Sequence, residues 1–198
     1  MTPQKSWGDF YADAGGVDYL LDHTCIHKDF LKEILKRKPG KALEAGCGSA
    51  IMSIFLAMAG VQVTACDRDD EVLEMGAATA AAWKTRVDFK KADLLNLSFP
   101  MDSFDVSFSQ GVLEHMTDEQ IQKSCRELLK ISPVFIFSVP GIYYKHKDFG
   151  DERLLSMNEW KNILKDIGSL EMKPYFYERT KKNFFMRRPL MWMGVLSQ

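Results

Sequence analysis

The chain predicts an α/β fold: a doubly wound, mostly parallel seven-stranded sheet that ends in an antiparallel hairpin. Short β-favouring runs alternate with helical stretches from Lys41 to Gly168, the pattern that yields a parallel sheet covered on both faces. The last two β-favouring runs have no helix between them, so they must pair antiparallel, because a parallel crossover needs a dozen or more residues. With 198 residues of ordinary globular composition, 46% hydrophobic and 27% charged, the chain is expected to form one domain over 1–198.

The first 25 residues carry Trp7, Phe10, Tyr11, Tyr19 and Leu20, too aromatic for a free tail, and are expected to act as a lid. "IHKDFLKEILKRK", from Ile26 to Lys38, sets Phe30, Leu31, Ile34 and Leu35 on one helical stripe, which Pro39 and Gly40 terminate. "KALEAG" is the first strand, and "IMSIFLAMAG" is an apolar helix with Gly60 at its end. "VQVTACD" and the alanine-rich "DEVLEMGAATAAAW" repeat the strand-helix order. "RVDFKKAD" is the third strand and "FDVSFSQ" the fourth, followed by a helix from Thr117, where Gln120 completes a capping-box spacing. "PVFIFSVP" is apolar throughout, as a central strand buried on both faces should be. After the helix "SMNEWKNILKDIG", the strands "LEMKPYFYER" and "LMWMGVL" close the sheet.

The net charge of −1 gives no general attraction for a polyanion. Arg179, Lys181, Lys182, Arg187 and Arg188 make a local basic stretch. It reads either as a solvated turn or as a contact for phosphate, an anionic membrane surface or an acidic substrate. Cys25, Cys47, Cys66 and Cys125 are too scattered for a zinc site and read as reduced thiols. No metal is expected. The start of the chain has no signal-peptide core, and no stretch reaches the length of a membrane span, so a cytoplasmic location is expected.

Ligands of open α/β sheets sit at the carboxyl ends of the strands, where "LEAGCGSAI" lies. Gly46 and Gly48 let backbone approach a ligand closely. A dinucleotide fingerprint would place a third glycine where Ile51 stands, and its pyrophosphate would meet the Glu44 carboxylate. A cation suits that position better. Asp67, 21 residues after Gly46, has the spacing of a carboxylate that holds a ribose diol. Asp93 ends the third strand. Acids at three neighbouring strand tips fit an adenosyl ligand that carries positive charge.

These motifs together resemble the class I S-adenosylmethionine-dependent methyltransferases, in particular the small-molecule enzymes of the quinone-biosynthesis type. "LEAGCGSA" is similar to the family's acidic glycine loop, with Ala50 in place of its last glycine; "ACD", "KAD" and "FDVSFSQGVLEHM" are similar to its next three strand-end motifs. The resemblance implies a Rossmann-like methyltransferase fold and S-adenosyl-L-methionine as methyl donor. It further implies that Glu44, Ala45, Gly46 and Gly48 surround the methionine part, and that Asp67 holds the ribose. Arg68 would lie against the adenine, at a position that is often apolar in the family, with Asp93 and Leu94 at the base's edge. Ser109, Gln110 and Gly111 would lie near the sulfur.

Methyl transfer from a sulfonium is an in-line displacement, so alignment does most of the work. A base is needed where the acceptor must lose a proton. His115 is the candidate. Tyr11, Tyr143, Tyr144 and His146 are candidate substrate contacts, the last three within 140–156, a long loop expected to handle substrate. The fourth strand ends in "SQGV" rather than an N/D-P-P-Y motif, and no Pro-Cys pair offers an attacking thiolate. Both points argue against nucleic acid and favour a small-molecule acceptor. Acceptors through O, N, C or S, and any oligomeric state, are compatible with this reading. Two alternatives are an NAD(P)-dependent reductase and a cofactor-binding module without transfer activity.

Overall fold

The computed structural model describes residues 6–11, 14, 16–145, 150–180 and 183–198. Seven strands form one sheet: β1 (Lys41–Ala45), β2 (Gln62–Asp67), β3 (Asp88–Lys91), β4 (Val106–Gln110), β5 (Val134–Pro140), β6 (Ser169–Thr180) and β7 (Asn183–Ser197). Their order is β3-β2-β1-β4-β5-β7-β6. The four inner pairings are parallel except β5 with β7, and β6 with β7 at one edge is also antiparallel. β2 and β3 pair parallel at the other edge.

The helices are α1 (Trp7–Tyr11), α2 (Val17–Ile26), α3 (Lys28–Lys36), α4 (Ile51–Met58), α5 (Asp70–Ala82), α6 (Asp118–Ile131) and α7 (Met157–Leu164), with a short 3-10 turn over Leu113–His115. The helix expected from Ile26 to Lys38 is divided at His27, whose φ/ψ of −98°/16° leaves helical geometry. His27 is buried there, and its Nδ1 lies 2.7 Å from the Tyr175 hydroxyl. Satisfying that imidazole outweighs one helical turn, since an unpaired buried polar group costs more than the turn's single backbone bond.

Alternation along the strands assigns the faces. Leu43, Phe135, Phe137 and Val139 point to the side covered by α6 and α7, where Trp160 is wholly buried. Ala42, Val106, Phe108 and Ile136 point to the side of α3 and α4, against Phe30, Ile34 and Met52. Glu44 lies on this second side as well and meets Ser53 of α4. At Gly194 an added Cβ would stand 2.1 Å from Phe137 Cζ, so the ring occupies the space a side chain would take. The capping box predicted at Thr117 and Gln120 is formed, and Ser156 with Glu159 makes a second.

The basic stretch continues as strand. β6 and β7 stay paired through Arg179↔Arg187 and shift register at Thr180↔Asn183, because an antiparallel ladder is made by backbone groups whatever the side chains carry. Arg187 and Arg188 are exposed on β7, and the Arg188 guanidinium sits 5.4 Å from the centre of the Tyr143 ring. Lys181, Lys182 and His146 lie outside the described residues.

Candidate functional site

The strand order reverses between β1 and β4, which opens a crevice beyond their carboxyl ends. The loop after β1 is pinned at its base. The amides of Gly46 and Cys47 both donate to the Cys66 carbonyl, at 2.8 and 2.9 Å. Gly46 has φ +70° and Gly48 φ +50°, the left-handed region where a Cβ is strained. A Cβ at Gly46 would stand 2.7 Å from Val112 Cγ2, and one at Gly48 2.5 Å from the Tyr11 hydroxyl. Both glycines therefore keep a cradle open that any side chain would fill. Ala50 holds φ +56° without a glycine's freedom and is fully buried at the start of α4.

Three acids border this loop in different ways. Glu44 is buried; its Oε2 accepts from the Ser53 amide at 3.0 Å and from the Ser53 hydroxyl at 2.5 Å. Burial nonetheless pushes its carboxyl up to about 8. Asp67 accepts from the Gly48 amide through Oδ2 and from the Asp69 amide through Oδ1, each at 3.2 Å. Burial raises its carboxyl as well. The N-cap of α5 is Asp69, which accepts from Glu71, so Asp67 is not consumed in capping and its carboxylate keeps acceptor capacity to spare. Asp93 is exposed, and one of its oxygens accepts from the Leu95 amide at 2.9 Å.

Two cavities meet at this crevice. The smaller, about 180 Å³, is lined by Gly46, Gly48, Asp67, Arg68, Val72, Asp93, Leu94 and Val112 among others. The larger, about 420 Å³, runs past Glu44, Gln110, Glu114, His23, Tyr144 and Glu152. Trp7, Tyr11, Gly111 and His115 line both and form the partition between them. His115 Nδ1 lies 2.6 Å from Asp151 Oδ1, and its ring meets Trp7 edge to face at 5.3 Å. In the tautomer in which Nδ1 donates to Asp151, the lone pair of the ring lies on Nε2.

Comparison with known proteins agrees with this geometry. A family model described as a methyltransferase domain matches residues 42–132. The ubiquinone biosynthesis O-methyltransferase of Actinobacillus pleuropneumoniae serotype 7 is 32% identical over 171 residues, covering 74% of this chain and 73% of that protein. The chain belongs to the S-adenosylmethionine-dependent methyltransferases. The protein of the same description from Coxiella burnetii is 24% identical over 138 residues, covering 69% of this chain and 59% of that one. Among solved structures, the PH0226 protein from Pyrococcus horikoshii has TM-score 0.72 at 15% identity, covering 96% and 98% of the two chains. A SAM-dependent methyltransferase from Methanosarcina mazei has TM-score 0.61 at 17% identity, covering 80% and 92%. These two share its fold.

In this methyltransferase the predicted residues gather unevenly. Gly46, Gly48, Asp67, Arg68, Asp93, Leu94 and Gly111 line the smaller cavity; Glu44, Gln110, Tyr11, Tyr144 and His115 reach the larger. Ala45 and Ser109 are buried in β1 and β4 and line neither. Tyr143 turns outward to Arg188 and also lines neither. Glu114, Asp151 and Glu152 were not singled out by the sequence, and Trp7 only as one of the aromatics of the expected lid. Glu114 stands inside the fourth-strand motif, and Asp151 and Glu152 inside the loop 140–156 expected to handle substrate.

Proposed function

We propose that this methyltransferase uses S-adenosyl-L-methionine to methylate a hydroxyl of a small-molecule acceptor, with the adenosyl group in the smaller cavity and the acceptor in the larger. The observation that carries this reading is the partition. Two cavities of different character meet at Trp7, Tyr11, Gly111 and His115, the place where a methyl group has to pass from donor to acceptor. The curated relatives named O-methyltransferases support oxygen as the acceptor atom.

The donor fits the residues present. Gly46 and Gly48 leave room for its amino-acid part beside Glu44, the spare lone pairs of Asp67 meet the ribose hydroxyls, and Val72, Leu94 and Arg68 enclose the base. When bound, the donor supplies a methyl group activated by a sulfonium. The chain's own part is to align and to manage one proton. Asp151 holds the His115 ring by Nδ1, and Nε2 would take the proton of the acceptor hydroxyl as the methyl group passes to that oxygen, the electrons of the broken methyl–sulfur bond staying on sulfur. Such base assistance contributes roughly 10²- to 10⁴-fold. Tyr11, stacked with Trp7 at 6.1 Å between ring centres, closes the donor from the N-terminal side, so residues 1–25 serve as its lid and 140–156 as the acceptor loop.

Isothermal titration with S-adenosylhomocysteine and with NAD(P) tests the donor, and a labelled methyl donor tests transfer. Micromolar binding of S-adenosylhomocysteine with none of NAD(P), and label recovered in a small phenol, are expected. Tight NAD(P) binding in its place would refute the reading.

A further inference from the structure

We propose that His23 and Gln110 form a specificity subsite in the larger cavity that binds a second, uncharged hydroxyl of the acceptor, apart from the one methylated. The inference rests on the assignment of that cavity to the acceptor. Both residues line the larger cavity and neither lines the smaller. Gln110 precedes Gly111 of the partition, so an acceptor anchored at this pair is held one residue from the place of transfer.

The sequence builds this wall by its period. Tyr19, His23 and His27 follow at intervals of four, which sets them on one face of α2 and its C-cap. That face lines the larger cavity. His27 is committed to the fold through Tyr175, at 2.7 Å. His23 is held differently: its ring stacks on Tyr19, 4.8 Å between centres and 23° between planes, and stands 5.0 Å from the ring of His27. Its Nε2 lies 3.4 Å from Gln110 Oε1.

That contact is longer than the roughly 2.7 to 3.2 Å of a well-formed N–H···O bond, so it uses little of what either group can do. An imidazole has two ring nitrogens, and a carboxamide has an acceptor oxygen and two N–H donors. A hydroxyl donates and accepts through one atom, and therefore suits the pair whichever ring nitrogen bears the proton. A carbonyl only accepts, and an ammonium only donates. The pair also carries no charge. Burial lowers both imidazoles from the ordinary histidine range, His27 to about 3, and the nearness of His23 adds to the effect at His27. An ionised group placed here loses its hydration and meets no opposite charge from the pair. Ile26, Met52 and Met191 line the same cavity, so the acceptor's skeleton has apolar surface to pack on while one hydroxyl is read.

Probes that exchange only a hydroxyl for a methyl isolate the subsite: 3- and 4-hydroxybenzyl alcohol against 3- and 4-ethylphenol, titrated into the protein saturated with S-adenosylhomocysteine. Burial of apolar area alone favours the ethylphenols. We expect the better-bound alcohol to bind at least fivefold tighter than its ethyl counterpart. His23→Phe keeps a ring to stack on Tyr19 and removes both nitrogens, and Gln110→Met keeps the length and removes the amide; each should bring the preference below twofold. His23→Gln returns a donor and an acceptor and should recover at least threefold. Where one of the first two variants does not fold, the other decides. Ethylphenols bound as tightly as the alcohols by the wild-type protein, or no measurable binding of any probe, overturns the subsite. So does a purely structural outcome, in which His23→Phe and Gln110→Met weaken both members of a pair alike and leave their ratio unchanged. Failure of S-adenosylhomocysteine to bind counts instead against the methyl-transfer reading, and the probes are then compared on the protein without it.

Discussion

Replacing Asp67 by alanine tests the donor site most directly. The carboxylate accepts backbone amides, among them Gly48 through Oδ2 and Asp69 through Oδ1, each at 3.2 Å, and the residue lines the smaller cavity. Two hydroxyls of a diol then gain charge-assisted hydrogen bonds worth about 1.5 to 3 kcal/mol apiece. At the lower end the pair gives about 3 kcal/mol, and since about 1.4 kcal/mol is tenfold, the variant should bind S-adenosylhomocysteine roughly a hundredfold more weakly. Water admitted into the gap recovers part of this, which sets the floor at about tenfold. Calorimetric titration measures the change. Asp69→Ala is the comparator: Asp69 caps α5 and lines neither cavity, so its loss costs about 1 kcal/mol of folding stability and leaves affinity near that of the wild type. A folded Asp67→Ala protein whose affinity stays within threefold of wild type would refute the ribose assignment.

His115→Asn should lower kcat by about a hundredfold, and Asp151→Asn by about tenfold because it only orients the ring; steady-state rates with a phenolic acceptor measure both. Gly46→Ala places a Cβ 2.7 Å from Val112 Cγ2 at a φ of +70°, and should cost about 1 to 3 kcal/mol of stability as well as donor affinity, read by thermal melting with and without S-adenosylhomocysteine. Burial lifts both Glu44 and Glu114 to about 8 from an ordinary 4.5, so the folded chain retains protons that the unfolded chain has lost. The glutamate contribution to the stability of the ligand-free protein therefore falls as pH rises from about 4.5 to 8. His27, which burial lowers to about 3 from 6.5, works in the opposite sense below about pH 6.5, so the net fall is expected between about pH 6.5 and 8. Glu114→Gln removes one of the two contributions, and its melting temperature should drop at least about 4 °C less than that of the wild type between pH 5 and pH 8.

The strand tips were legible because their signals are local. Glu44, Gly46 and Gly48 sit within five residues, and Asp67 follows at a spacing set by one helix and one strand. The sheet and its closing hairpin follow from alternation and from the missing last crossover. The break at His27 was not legible, since the stripe Phe30, Leu31, Ile34 and Leu35 is continuous with the residues before it; the bond that decides it comes from Tyr175, 148 positions away. The partition escaped for the same reason. Trp7 and Tyr11 reach the loop from the start of the chain, and Asp151 reaches His115 across 36 positions. Of the adjacent tyrosines, Tyr144 turns into the cavity and Tyr143 out toward Arg188, a choice made by one backbone turn and invisible to composition.

The position of β7 has a consequence for how the protein comes into being. β7, the last of this sheet's seven strands in chain order, is inserted between β5 and β6, so the sheet's interior cannot be completed until residue 197 has left the ribosome. Until then Phe137 lacks the glycine it lies over, and one long side of β5 is an open edge able to recruit another nascent chain. Synthesis of this protein thus carries an aggregation hazard that ends only when β7 has paired with β5.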